Sequence, residues 1–137
     1  MSSGSGPSAV AVATAILSTT AETVIATLPP SNWSGNPAGV LLTADVVATF
    51  AAAGTVTFRI RQGALAGTLV AGTTAVYTAA GAVATVPVGP GEFLDASAFG
   101  PGPTQQGVYV LTAQASVANN VTPTGGVLSL ETVAAVQ

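Results

Sequence analysis

Residues 54–72 read GTVTFRIRQGALAGTLVAG, and this stretch decides the fold class. Successive side chains of an extended chain point to opposite sides, so Val56, Phe58 and Ile60 share one side. The threonines and arginines between them share the other side. An apolar side opposite a polar side is typical of a half-buried β-strand.

The second half of the same stretch turns the chain back. Residues 62–67 contain two glycines, which suit a tight connection between strands. Residues 68–71 then return as a second short strand, which we expect to end before Gly72. The stretch therefore predicts a β-hairpin.

Similar short apolar runs recur along the chain, separated by Gly, Pro and Asn. They predict further strands at 8–18, 22–29, 40–53, 73–79, 82–88, 107–117 and 127–136. Ala80-Gly81 predicts a hairpin between two of them, and Pro87 predicts an edge strand because proline cannot donate to a ladder. Eight or nine short strands with one long crossover predict an antiparallel β-sandwich, and favour a jelly roll.

The strand at 40–53 is the most ambiguous of these elements, because its Ala and Leu content also suits a helix. We favour a strand, since the neighbouring elements are β. One face would then carry Leu42, Ala44, Val46, Ala48 and Phe50. The short gap to Gly54 predicts a hairpin with the next strand.

Composition places the chain among single-domain proteins with few charges. Its 137 residues suit a flexible arm at 1–7 followed by one sandwich domain at 8–137. Charged residues make up 5% of the chain, whereas globular domains average about 25%. Thr, Ser, Asn and Gln supply one source of surface polarity. The alternative, which we favour, is that other subunits cover much of the surface, because obligate interfaces are depleted in charge.

The absent residue types exclude several functions. The chain has no His, Cys or Lys, so the usual general base, thiolate ligands and Schiff-base formers are missing, and we expect no enzyme and no cofactor. A net charge of −3 argues against nucleic-acid binding. No apolar run reaches the roughly 18 residues of a membrane span. Glu92 and Asp95 are weak candidates for Ca²⁺ ligands, against the simpler interpretation of a loop packed by Phe93 and Phe99.

Interface candidates come from three places in the chain. The N-terminal arm lacks the basic start of a secretory signal, so we expect a mature end whose residues are ordered by another subunit. Trp33 is either a lid on the core or an interface anchor. Arg59 and Arg61 either solubilise the outer face of their strand or pair with carboxylates across a subunit boundary. The full set is Met1, Ser2, Ser3, Gly4, Ser5, Gly6, Pro7, Trp33, Arg59 and Arg61.

Three motifs, GVLLTADVVATF, GTVTFRIRQGALAGTLVAG and GVYVLTAQASV, carry a family resemblance that spans residues 39–117. In this order they resemble the small jelly-roll virion proteins of tailed bacteriophages. In such proteins a TVxxRIRxG…GTxV hairpin and a late GxYxLTAQAS strand recur. The resemblance implies a non-enzymatic capsid decoration or cement protein on the exterior of the virion. It also implies a homotrimer that binds the major capsid protein, in some members through an N-terminal arm.

An alternative function stays open at this point. The chain also suits a receptor- or carbohydrate-binding β-sandwich module of a tail fibre or cell surface. Such a module would use Trp33, Tyr77 or Tyr109 as stacking platforms for sugar rings.

Overall fold

The computed structural model describes residues 8–28, 39–77, 82–93 and 108–133, and within these ranges the chain is all-β. The strands are β1 (Ser8–Ala11), β2 (Thr23–Leu28), β3 (Gly39–Phe50), β4 (Gly54–Gln62), β5 (Thr68–Tyr77), β6 (Ala82–Phe93), β7 (Tyr109–Ala115) and β8 (Val121–Val133). Among the described residues there is no helix long and apolar enough to cross a membrane.

Two four-stranded antiparallel sheets pack face to face. The first sheet has the strand order β1-β8-β3-β6, and the second has the order β2-β7-β4-β5. Strands that follow each other in sequence lie in opposite sheets, except β4 and β5, which pair with each other, and this pattern is that of a jelly roll. The predicted antiparallel sandwich and its jelly-roll topology are therefore confirmed.

The core lies between the sheets and consists of the residues that the period of two predicts. Val56, Phe58 and Ile60 on β4 are fully buried, while the residues between them are half-buried. The ambiguous segment forms β3 and buries its predicted apolar face completely. That face consists of Leu42, Ala44, Val46, Ala48 and Phe50.

The strand that follows the Gly63–Gly67 turn is longer than the sequence predicts. Gly72 does not end it, because β5 continues through this residue to Tyr77 and includes most of the separately predicted strand at 73–79. Gly72 lies opposite Arg59 in regular register. A glycine inside a strand weakens it without breaking it, as long as the ladder continues on both sides.

Two predicted hairpins are wrong. β3 and β4 lie in opposite sheets, and so do β5 and β6, although only short links join the members of each pair. The predicted partners 73–79 and 82–88 therefore do not form a ladder, because β6 pairs with β3 instead. Each short link carries the chain from one sheet to the other, although the turn at Ala80-Gly81 itself lies outside the described residues.

The link between β3 and β4 is held by the β7–β8 connection, which lies at the same end of the sandwich. Ala51 N–H donates to the backbone oxygen of Asn120, and Ala52 N–H donates to the Asn120 Oδ1 at 2.6 Å. Asn120 itself is 3% exposed. These bonds give the backbone N–H groups of the link acceptors in the β7–β8 connection. The chain therefore passes between the sheets without a hairpin turn.

The ends of several strands differ from the prediction. Only the first part of the predicted strand at 8–18 is regular, and the rest follows β8 through single bonds such as Val12 N–H to the Gly126 oxygen. β8 begins at Val121 and includes the Gly- and Pro-containing residues 122–126, which precede the predicted strand at 127–136. Gly126 has φ 120° and lies against the backbone of Asp45, so the glycine serves a close approach inside the sheet.

β6 lies where the sequence predicts an edge strand, but it is longer than predicted. It is an edge strand, as Pro87 predicts, and it extends through Phe93, beyond the predicted end of the strand at residue 88. The remainder of the predicted loop, with Asp95 and Phe99, lies outside the described residues. So do the predicted N-terminal arm at 1–7 and Trp33.

Candidate functional site

The outer face of the second sheet gathers both arginines of the chain into one polar cluster. Arg59 and Arg61 alternate with the core residues of β4 and therefore point outward. β7 pairs with β4 so that Thr112 lies opposite Arg59. Glu22, immediately before β2, completes the group. We call Glu22, Arg59, Arg61, Thr112 and Gln114 the arginine cluster.

The Arg61–Glu22 pair has the bidentate geometry in which a guanidinium matches a carboxylate. Arg61 Nε lies 2.7 Å from Glu22 Oε2, and Arg61 Nη2 lies 3.0 Å from Glu22 Oε1. Arg61 Nη1 also donates to the Gly67 oxygen at 3.1 Å, which ties the guanidinium to the β4–β5 turn. Two parallel bonds fix direction as well as distance, so this pair is geometrically specific.

Arg59 approaches the same carboxylate more loosely. Its Nη1 lies 3.3 Å from Glu22 Oε1 and donates to Gln114 Oε1 at 2.9 Å. The Gln114 amide in turn donates to the Thr20 oxygen at 3.3 Å. Glu22 thus shares its charge between two arginines, which leaves the cluster with a formal charge of +1.

Thr112 lies beneath the other side chains of the arginine cluster. It is fully buried, and its hydroxyl donates to Glu22 Oε2. The side chains above it are only partly covered, with 17% of Glu22, 25% of Arg59 and 20% of Arg61 exposed. A buried hydroxyl that is hydrogen-bonded to a carboxylate stabilises the arrangement, whereas without a partner it would destabilise it.

Electrostatics follow from this geometry. The hydrogen bond from the Arg61 guanidinium is the main reason that the pKa of Glu22 lies below its ordinary value of 4.5. Partial burial opposes this shift, and the Thr112 hydroxyl and both arginine charges add to it. The same bond raises the pKa of Arg61. The carboxylate is therefore ionised at neutral pH and fully engaged, so it is not a free base.

A shallow depression lies beside the arginine cluster on the same face. Its volume is about 250 Å³, and it is lined by Thr20, Thr55, Thr57, Gln114, Ala115 and Ser116. The Thr57 and Thr74 hydroxyls bond to each other at 2.9 Å, and Thr55 N–H donates to the Ser116 hydroxyl at 3.0 Å. All of these lining residues are neutral hydrogen-bond donors and acceptors or apolar. Gln114 connects the depression to the arginine cluster through its bond with Arg59.

The described residues contain no cluster of three or more His, Cys, Asp or Glu side chains. The arginine cluster holds one carboxylate, and arginines stay protonated at physiological pH. Within these residues the chemistry of the face is therefore hydrogen bonding and charge pairing. The Ca²⁺ candidate is not tested here, because Asp95 and the side chain of Glu92 lie outside what the structure describes.

Sequence reasoning located part of this site. Arg59 and Arg61 share the outer face of their strand, as the sequence predicts. The sequence left open whether they solubilise that face or pair with carboxylates across a subunit boundary, and the carboxylate that they contact is Glu22 of the same chain. Their part in an interface stays a prediction. Glu22 and Thr112 were missed, because only the register of β2, β7 and β4 brings them to the arginines.

One candidate residue must be corrected. Tyr109 was considered as a platform on which a sugar could stack, but its ring is fully buried in the core. Burial raises the pKa of its phenol to about 12. No hydrogen-bond partner for the hydroxyl is found among the described residues. Val108 to Ser116 alternate as predicted, and Tyr109 lies on the inner side.

Comparison with known proteins finds structures of similar fold but does not assign the chain to a family. No family model matches the sequence, and no curated protein matches it. Dimeric latent PorU from Porphyromonas gingivalis matches 95% of this chain with a TM-score of 0.54 and 10% identity. The Eiger TNF of S. frugiperda matches 99% of this chain and 92% of its own, with a TM-score of 0.49 and 7% identity.

A viral protein is also among the structural matches. The infectious bursal disease virus Gx strain structure matches 95% of this chain with a TM-score of 0.47 and 16% identity. This chain spans 33% of that viral protein and 13% of PorU. At such identities the likeness is one of fold.

Proposed function

We propose that this chain is a non-enzymatic structural protein of a virion, a decoration or cement protein on the outside of a bacteriophage head. In this role it associates with copies of itself, as a trimer, and with the major capsid protein, and it stabilises the shell. The proposal adds to the sandwich fold a location, a partner and an oligomeric state.

The observation that carries the proposal is the scarcity of free charge on both sheets. Among the side chains that the structure describes, Asp45 is the one exposed ionised group. The other three, Glu22, Arg59 and Arg61, are paired within the arginine cluster and leave it a formal charge of +1. A surface of this kind packs against protein without desolvating unpaired ions, which is the main electrostatic cost of forming an interface.

The outer face of the first sheet carries Asp45, and the side chains around it are neutral. Thr43, Val47, Thr49 and Ser129 point outward and are half-buried, and Val127 is exposed. Hydroxyl and aliphatic side chains of this size offer hydrogen bonds and contact area with little loss of side-chain entropy. The resemblance of residues 39–117 to phage virion proteins supports the same assignment. It is the source of the proposed trimer, the capsid partner and the location on the head.

The test is the association state of the purified chain. We expect size-exclusion chromatography with light scattering to show an oligomer at micromolar concentration. We also expect the oligomer to persist at high salt, because its interfaces do not depend on exposed ion pairs. A chain that stays monomeric and well behaved up to the highest soluble concentration would overturn the proposal.

The alternative is a carbohydrate- or receptor-binding module, and one observation favours it. The depression between Thr55, Thr57 and Gln114 is lined by hydroxyl and amide groups of the kind that bind sugar hydroxyls. A glycan array separates the two functions. Under our proposal no glycan binds, whereas binding that is lost in both Gln114→Ala and Trp33→Ala would support the alternative.

A further inference from the structure

The two sheets have four edge strands, and three of them carry features that oppose pairing with another chain. β1 is 4 residues long. β2 is 6 residues long and has an irregular register between Val24 and Ala26. β6 contains Pro87, which lacks a donor. Short strands, bulges and prolines are the usual means by which proteins protect sheet edges.

β5 is the edge strand that lacks this protection. It is 10 residues long and contains no charged residue and no proline. Its one irregularity lies near its start, at Val70, and from Ala71 to Tyr77 it pairs with β4 in unbroken register. Its far edge has no strand partner among the described residues, since β5 ends the order β2-β7-β4-β5. β6 of the first sheet approaches β5 but forms no ladder with it, so the outer row of β5 backbone N–H and C=O groups makes no ladder bonds within the described residues.

The outward side chains of β5 also suit contact with protein. Val76 is 72% exposed and Leu69 is 53% exposed, and they are the two most exposed large apolar side chains that the structure describes. Thr74 lies between them and bonds to Thr57 on β4. An uncharged sequence with high β-propensity and an exposed valine is typical of segments that pair edge to edge.

We propose that the β5 edge pairs antiparallel with β5 of a second copy of this chain, about a two-fold axis at Thr74. This register places Val76 opposite Gly72 of the second copy, so the most exposed apolar side chain meets the one position that has no side chain. Residues directly opposite in an antiparallel pair share a face, which keeps both positions on the outer side. The two second sheets then form one continuous eight-stranded sheet.

The occupant is a copy and not an unrelated peptide because the edge is neutral. It offers no charge for an acidic or basic segment to recognise, and a chain of net charge −3 can meet its copy here without like charges facing each other. The proposal rests on the proposed function only in that both require self-association. The two-fold β5 contact is separate from the contacts of the expected trimer, and it would join one copy of a trimer to a copy outside that trimer.

Cysteine cross-linking tests the register directly. The chain has no cysteine, so any disulfide in a single-cysteine variant joins two molecules. Antiparallel partners have Cα atoms about 4.5 to 5.5 Å apart, within the range of a disulfide. We expect Thr74→Cys to form a disulfide-linked dimer under mild oxidation at micromolar concentration. Thr85→Cys, at an exposed threonine of edge strand β6, is the matched control and should form at least tenfold less.

A charge placed on the edge tests the energetics. We expect Val76→Lys to weaken self-association at least tenfold in sedimentation equilibrium, while Thr85→Lys leaves it unchanged. If Val76→Lys does not fold, the Thr74→Cys result decides. An oligomeric wild type with no Thr74→Cys dimer and no effect of Val76→Lys would overturn the β5 contact and leave the proposed function standing. A wild type that is monomeric throughout would overturn both.

Hydrogen exchange identifies a different occupant of the edge. We expect the β5 amides to gain protection as the chain concentration rises. Strong protection of these amides at a concentration where light scattering shows a monomer would mean that another segment of the same chain covers the edge, and it would overturn the proposal.

Discussion

Replacing Glu22 by glutamine tests whether the arginine cluster stabilises the second sheet. The substitution keeps the size of the side chain and one acceptor oxygen, but it removes the charge that both arginines share. It also places an amide N–H₂ group among the donors of Arg61 and Thr112. The variant therefore changes the electrostatics of the cluster and leaves the packing of the sheet intact.

The expected loss follows from the contacts of the carboxylate. It accepts two bonds from Arg61 and one from Thr112, and it lies 3.3 Å from Arg59. A hydrogen bond to a charged group contributes about 1.5 to 3 kcal/mol. One acceptor remains in glutamine, and the guanidinium groups are 20% and 25% exposed and regain some hydration. We expect a loss of about 2 to 4 kcal/mol in the free energy of unfolding.

For a domain of this size that loss lowers the melting temperature by about 7 to 14 °C. Denaturant titration and thermal unfolding followed by circular dichroism measure both quantities. Asp45→Asn is the matched control, because Asp45 is an exposed carboxylate with no ion pair among the described residues, and it should change stability by less than about 0.5 kcal/mol. Equal effects of Glu22→Gln and Asp45→Asn would refute the reasoning.

The pH dependence gives the same test a second readout. The pKa of Glu22 lies below its ordinary value of 4.5, so its contribution is fully present above the unfolded-state value and is lost as the pH falls through the folded one. The stability difference between wild type and Glu22→Gln should therefore be constant above about pH 5.5 and should narrow below pH 4.5. The chain has no His, so no side chain with an ordinary pKa between about 5 and 8 complicates the dependence of stability on pH in that range. A difference that persists unchanged at the lowest pH would contradict an electrostatic origin.

Two further substitutions test the fold and the core. Gly126→Ala should cost more than about 2 kcal/mol, because its φ is 120° and the new Cβ would lie 2.0 Å from the Asp45 oxygen. In Gly125→Ala the new Cβ meets nothing within 4 Å, and denaturant titration should show a loss below about 1 kcal/mol. Tyr109→Phe should leave stability unchanged or raise it by up to about 1 kcal/mol, since the buried hydroxyl has no partner among the described residues. A clear loss of stability in that variant would reveal a partner.

The sequence predicts the composition of the core well, because burial in a sandwich leaves a local signature. In β3 and β4 every second residue is buried on the inner face, and the period of two identifies that face without knowledge of the partners, whereas the central strand β7 is buried on both sides. The resulting inner residues of β3 and β4 are those that the structure buries. The fold class follows from the number and spacing of such segments.

The partners of the strands leave no comparable signature. A short link between two strands suits either a hairpin within one sheet or a crossing between two sheets, and local periodicity is the same in both. The link at 51–53 reads Ala-Ala-Ala, which lacks the Asn or Gly that a two-residue hairpin needs. That absence was the available signal against a hairpin. The cluster at Glu22 was missed for the same reason, since it depends on the register of three strands.

The two buried polar residues of the described chain lie at these unpredicted places. Thr112 bonds to Glu22 on the outer face of the second sheet, and Asn120 bonds to the β3–β4 link at the end of the sandwich. A shift of register by one residue would move either side chain away from its partner and leave a buried polar group unsatisfied, at a cost of about 1 to 3 kcal/mol. Apolar alternation defines which faces meet in the core, and many pairings of Ala-, Val- and Thr-rich strands satisfy it. Thr112 and Asn120 therefore add the selectivity between registers that such a uniform core lacks.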